Sequence, residues 1–203
     1  MTEQNWLVND EGRCEAWAEG PALEDGTPPY RLYRFLTELE DLLIEVGDNR
    51  QRLRGICPLV RKLLADSAWL QMMPGAPDPA TGWEVSTLYD EPFFPLTVQL
   101  VVWAPGVKSS IHNHAAWGVV ALLSGQEKNT FWRRSPTAKF PDKIQVAGEQ
   151  VFDPGQILCL MPEAIHQVEA LGDEPTVSFN VYGETDYDHR FEFDVDRHTA
   201  HIF

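Results

Sequence analysis

The apolar positions divide the chain into two regimes. From Tyr30 onward, Leu32, Phe35, Leu36, Leu39, Leu42, Leu43 and Val46 recur at three- and four-residue intervals, which is the period of an amphipathic helix. Gly47-Asp48-Asn49 ends that pattern, and Leu53, Ile56, Leu59, Val60, Leu63 and Leu64 repeat it over residues 51–66. A shorter piece, 67–73, carries Trp69, Leu70, Met72 and Met73 and is expected to pack the helices against the rest of the domain. The breaker Pro74-Gly75-Ala76-Pro77-Asp78-Pro79 then closes the helical regime. Beyond it the period shortens to two. Strands are predicted at 83–89, 96–103, 109–114, 118–123, 127–133, 144–152, 157–161, 166–170 and 177–182. Short strands bounded by turn residues at close intervals predict a sandwich or barrel rather than βαβ units. The expected organisation is one compact domain: a loose polar arm over 1–29, a helical cap over 30–79, and a β-barrel with an acidic, aromatic tail over 80–203. His198 and His201 read as solvated residues of that tail.

One stretch stands out, G-V-K-S-S-I-H-N-H-A-A-W-G-V-V-A-L-L-S-G, from Gly106 to Gly125. His112 and His114 are two residues apart between apolar runs. On a strand that spacing puts both imidazoles on one face, whereas on a helix it would send them to nearly opposite sides. Paired imidazoles inside an apolar sheet call for something to bind, and a metal ion is the natural candidate. Single buried histidines are usually hydrogen-bonded core residues, so the pair and a correctly spaced third carry the case together.

Composition narrows the partners. Sixteen basic against thirty-one acidic side chains leave a formal charge of −15. That field repels phosphate backbones and anionic bilayers, so neither nucleic acid nor a membrane surface is an expected partner. An anionic small substrate would need a local positive centre, which a divalent metal supplies. Cys14, Cys57 and Cys159 are odd in number and widely spaced, so no disulfide framework is expected, and a reducing cytoplasm fits. Cys57 and Cys159 read as inert packed residues. The first residues lack a basic and apolar leader, and no apolar run is long enough to cross a bilayer. The oligomeric state, monomer or homodimer, stays open.

Two glycine-punctuated segments carry the histidines: Gly106, His112, His114 and Gly125 in the first, and Gly155 with His166 eleven positions later, within D-P-G-Q-I-L-C-L-M-P-E-A-I-H-Q-V, in the second. These spacings resemble the two cupin motifs, which implies a mainly β fold, a double-stranded β-helix (jelly-roll barrel) with an N-terminal helical cap. Gly118 occupies the place where a cupin usually has a glutamate ligand. The likeness extends further. R-L-Y-R-F-L-T-E-L-E-D-L-L, V-V-W-A-P-G, H-N-H-A-A-W-G-V-V-A-L-L-S-G-Q-E and V-S-F-N-V-Y-G resemble bacterial thiol dioxygenases, the cysteine dioxygenase and 3-mercaptopropionate dioxygenase group, over roughly residues 30–190.

The resemblance implies a mononuclear Fe(II) held by His112, His114 and His166, and oxidation of a small thiol carboxylate by O₂ to its sulfinic acid. Nickel, zinc or cobalt also suits three imidazoles. Three neutral ligands leave the full double charge on the metal, which favours a thiolate. Ser178, Asn180 and Tyr182 alternate along one strand, where the family has a Ser-x-His-x-Tyr relay, and Asn180 replaces its histidine. Residues 84–87 offer neither the arginine nor the glutamine that binds the substrate carboxylate in the family, so Arg190 or Arg133 takes that part. Arg190 also has Asp186 and Asp188 within reach as ion-pair partners. Trp117 and Trp103 read as core aromatics first and cavity lining second. Gly118 stands where animal enzymes have the cysteine cross-linked to tyrosine, so that thioether is not expected. Two other readings stay open: a three-histidine dioxygenase that cleaves a diketone, and a metal- or ligand-binding barrel without turnover.

Overall fold

A computed structural model describes residues 4–17, 30–73, 75–94 and 96–203. Two helices in contact, α1 (Leu32–Glu45) and α2 (Asn49–Asp66), form where the three-four periodicity predicts them. Asp48 caps α2 by accepting a hydrogen bond from the Gln51 amide. The 67–73 piece is a short 3-10 turn, Ala68–Gln71, whose Leu70 is buried. Met72 and Met73, expected to pack helix against barrel, are instead exposed.

The strands are β1 (Asn5–Val8), β2 (Cys14–Trp17), β3 (Trp83–Asp90), β4 (Leu96–Trp103), β5 (Ile111–Asn113), β6 (Gly118–Ser124), β7 (Gln126–Arg134), β8 (Ile144–Phe152), β9 (Ile157–Leu160), β10 (Ile165–Leu171), β11 (Thr176–Gly183), β12 (Phe191–Asp194) and β13 (Thr199–Ile202). They form a seven-stranded sheet in the order β2-β1-β9-β6-β11-β4-β3, facing a six-stranded sheet in the order β13-β12-β5-β10-β7-β8. From β4 to β7 and from β8 to β12 each strand crosses to the other sheet, as in a double-stranded β-helix, and this is the expected fold class.

Two stretches depart from expectation. The N-terminal residues, read as a loose arm, include β1, which pairs in parallel with β9 and buries Leu7 and Val8. The rest of that arm, 1–3 and 18–29, lies outside the described residues. The tail is a hairpin: β12 pairs with β13 and also with β5, beside the histidine pair. His201 is exposed against Glu192, but His198 is partly buried with its ring against Phe140.

The alternation on the larger sheet is inverted relative to an ordinary half-buried sheet. Val98 and Leu100 of β4, Val119 and Ala121 of β6, and Phe179 and Val181 of β11 point outward, where Phe35, Leu39, Ile56, Val60 and Leu63 of the helices bury them in the main core. Phe35 meets Phe179 edge to face at 6.0 Å. The alternate residues, Gln99, Ser178, Asn180 and Tyr182 among them, therefore face the space between the sheets. Helices on the outside thus leave the polar face of this sheet for an interior cavity. A second cluster that includes Leu122, Phe131, Phe152 and Leu160 packs β6 and β9 of the larger sheet against β7 and β8 of the smaller.

Candidate metal centre

His112 and His166 are cross-strand partners on β5 and β10, and His114 follows β5 by one residue. Their ligand atoms lie within 4.8 Å of one another, and theirs is the one such histidine, cysteine or carboxylate group among the described residues. The Nε2 atoms of His114 and His166 are 3.0 Å apart. That separation is short enough for both nitrogens to bind one cation at the roughly 2.1 Å usual for imidazole ligands. His112 Nδ1 faces the Ser110 carbonyl at 3.0 Å, and His166 Nδ1 faces Asn129 Oδ1 at 2.8 Å. Both partners are acceptors, so both Nδ1 atoms carry the proton and both Nε2 atoms turn a lone pair inward.

Burial lowers the basicity of all three rings, well below the ordinary value for His114 and His166, where the neighbouring imidazoles add to it. Neutral imidazoles with converging lone pairs are the donor set of a divalent-cation site. A carboxylate cannot join them from position 118: a Cβ there would stand 2.9 Å from Cδ1 and Cε1 of Tyr182. The Tyr182 ring fills that space, stacked on His114 at 4.5 Å and 28°.

The centre opens into a cavity of about 670 Å³. Ser178, Asn180 and Tyr182 line it together. The Tyr182 hydroxyl donates to Asn180 Oδ1 at 3.4 Å, and Asn180 Nδ2 donates to Ser178 Oγ at 3.0 Å. Burial raises the Tyr182 pKa, the charge of Glu127 adding to it and that of Arg190 opposing it. Arg190 also lines the cavity. It makes no ion pair with Asp186 or Asp188, and Asp186 bonds His189 instead. The Arg190 guanidinium lies 4.2 Å from the Phe203 ring centroid, and its Nε is buried without a hydrogen-bond partner among the described residues.

Two of the sequence candidates lie elsewhere. Arg133 is exposed near the end of β7 and does not line the cavity. Trp117 is 5% exposed in the core beneath the helices, packed against Gly183, because its position points outward from the larger sheet. Trp103 does reach the cavity, its ring 5.9 Å from that of Trp83.

Four residues gain a part that the sequence reading missed. Asn129 orients His166, and parity could have found it, since it shares a strand face with buried Phe131. Asn113, between the two histidines, faces the other way: its Nδ2 donates to the His189 carbonyl and its Oδ1 accepts from the Phe191 amide. Those bonds flank Arg190, so the H-N-H motif also holds the cation that faces the centre. Gln99 offers an amide in the cavity, one strand over from Thr87. Phe203 brings its ring to 5.9 Å from His112.

Fold and site together define a double-stranded β-helix barrel whose three-histidine cluster is capable of binding a divalent metal. No protein-family model matches the chain. Among solved structures, a cupin superfamily protein from Desulfitobacterium hafniense is similar at 12% identity over 57% of this chain and 86% of that one, with a TM-score of 0.42. TT1209 from Thermus thermophilus aligns at 15% identity over 57% and 93%, with a TM-score of 0.45. An oxalate oxidase in complex with glycolate aligns at 13% identity and a TM-score of 0.40, and this chain covers only 55% of that protein's length.

Proposed function

We propose that this chain is an Fe(II)-dependent thiol dioxygenase acting on a small thiol that carries a carboxylate. The observation that carries the reading is a donor set of three neutral imidazoles with no acidic member, facing a cavity also lined by Arg190, whose buried Nε has no hydrogen-bond partner among the described residues. When bound, the metal supplies a Lewis-acidic centre that favours the thiolate and gives sulfur and O₂ a common meeting point. The overall conversion adds both oxygen atoms of O₂ to the thiol, RSH + O₂ → RSO₂H. The protein's part is placement. Arg190 draws the carboxylate to the mouth of the cavity, and its buried Nε adds a charge-assisted donor. The Tyr182 hydroxyl directs its proton to Asn180 and so turns its lone pairs toward the cavity, where they can accept from a substrate donor. Asn180 orients that hydroxyl but cannot exchange a proton near neutrality, so its part is positioning.

The test is oxygen uptake by Fe(II)-loaded protein against cysteine, 3-mercaptopropionate, 2-aminoethanethiol and a set of diketones. Uptake with carboxylate thiols and formation of sulfinate are expected. Uptake with diketones alone would move the protein to carbon–carbon cleavage, and none with either would make it a binding barrel.

A further inference from the structure

We infer that Glu127 is the distal specificity pole of the cavity and recognises a cationic amine at the far end of an extended substrate. Glu127 is 4% exposed and lines the cavity. Its one protein partner among the described residues is the Thr176 hydroxyl, which donates to Oε1 at 3.1 Å. No cation pairs with it among those residues. Lysine is available on the same strand, but Lys128 points the other way and is held by Glu169 at 2.6 Å. A buried carboxyl is ordinarily paired or hydrogen-bonded at both oxygens, because stripping it of water costs several kcal/mol. Here the second oxygen is left to the cavity, and burial raises the carboxyl pKa to about 7.

Position along the strands sets what this pole can reach. Glu127 stands opposite Ala170, four residues along β10 from His166, which is about 13 Å of strand. Thr176, its partner, is opposite Trp103. The cavity therefore runs from Arg190 and the histidines at one end to Glu127 and the Trp83–Trp103 pair at the other. A three-carbon thiol anchored at the histidines fills only the first part. An occupant that uses the whole length presents sulfur to the histidines, an anionic group to Arg190, apolar chain to the tryptophans and an ammonium to Glu127. The inference rests on the thiol reading for the identity of the near end, but not for the far one.

The test uses full-length protein loaded with redox-inert Zn(II) and two matched probe pairs, with binding followed by calorimetry. The first pair, hexylamine and hexan-1-ol, has no thiol and examines Glu127 alone. The second, 6-aminohexane-1-thiol and 6-mercaptohexan-1-ol, adds sulfur to both. The amine should bind about ten- to a hundredfold more tightly than the alcohol within each pair, as a charge-assisted bond to a buried carboxylate requires. The preference should vanish in Glu127→Gln, which keeps the shape. The infrared carbonyl band of the protonated Glu127 carboxyl should also weaken when hexylamine binds to wild type. Equal binding of amine and alcohol by wild type, or a preference that survives Glu127→Gln, would overturn the inference without any appeal to how the variant folds. An amine preference in both pairs with no gain from the thiol would uphold Glu127 and sink the thiol reading instead.

Discussion

Replacing Asn129 by leucine separates a metal centre from a set of packed histidines. Asn129 is 1% exposed, and its Oδ1 accepts from His166 Nδ1 at 2.8 Å. No other acceptor for that ring nitrogen exists among the described residues. Leucine matches the amide in shape and removes the acceptor, leaving a buried N–H unpaired at about 1–3 kcal/mol. It also frees the ring proton to move to Nε2, the nitrogen that must present a lone pair. Loss of such outer partners in histidine metal sites lowers affinity about 10–100-fold, equivalent to about 1.4–2.7 kcal/mol. The two ranges overlap, so one lost hydrogen bond accounts for the whole effect. Competition with a chromophoric chelator should show Zn(II) affinity falling by that factor in Asn129→Leu and recovering in Asn129→Asp, whose carboxylate accepts the same proton. Unchanged affinity in Asn129→Leu, with only thermal stability reduced, would refute the assignment and leave Asn129 a core hydrogen bond.

The geometry sets four further outcomes. The Glu127 carboxyl is raised from 4.5 to about 7, so the folded state holds a proton that the unfolded chain releases across that window. Its contribution is fully favourable below pH 4.5 and is lost as pH rises through 7. In denaturant titrations Glu127→Gln should therefore exceed wild type by about 3 kcal/mol at pH 8 and converge with it near pH 4.5. Gly118→Ala should push Tyr182 off its stack on His114, since the new Cβ meets that ring at 2.9 Å. Thiol-dependent oxygen uptake should fall while circular dichroism shows a folded barrel. Arg190→Met should raise KM for carboxylate thiols about ten- to a hundredfold and leave uncharged thiols nearly unaffected. Gly183→Ala should destabilise the fold by about 1–3 kcal/mol in thermal melts, because its Cβ would stand 2.8 Å from Cδ1 of Trp117 and closer still to the indole nitrogen.

How much of this was legible in the sequence depends on how local each signal is. The strands from β3 to β11 were readable to within two residues because glycine and proline bound them and alternation runs through most of them. The histidine set was readable because a two-residue spacing on a strand fixes a common face whatever the rest of the fold does. The β12–β13 hairpin was not. Phe191 and Phe193 alternate with Glu192 and Asp194, but four residues inside an acidic tail give too short a period to stand out. β1 failed for the same reason: Trp6-Leu7-Val8 is a brief apolar run whose partner, β9, lies some 150 residues away. A parallel pairing of that span leaves no local trace.

The residues around the centre were harder to read for a different reason. On β11 the sequence T-V-S-F-N-V-Y-G looks like an ordinary half-exposed strand, apolar side inward and polar side in water. The helices reverse it. Because α1 and α2 cover the outer face, Phe179 and Val181 turn to them, and Ser178, Asn180 and Tyr182 face an enclosed interior. The same reversal explains why Trp117, placed by its apolar surroundings, belongs to the helix interface and not to the cavity. It also hides Glu127: between Gln126 and Lys128 an acidic residue reads as solvated, and only the pairing of β7 with β10 turns it inward. A cavity lined by the polar half of an alternating sheet needs its apolar half covered from outside. The helical cap is therefore what makes the polar interior affordable, and a substitution that loosened it, such as Phe35→Ala beneath Phe179, should disturb Tyr182 further along the same strand before it disturbs the histidines on the opposite sheet.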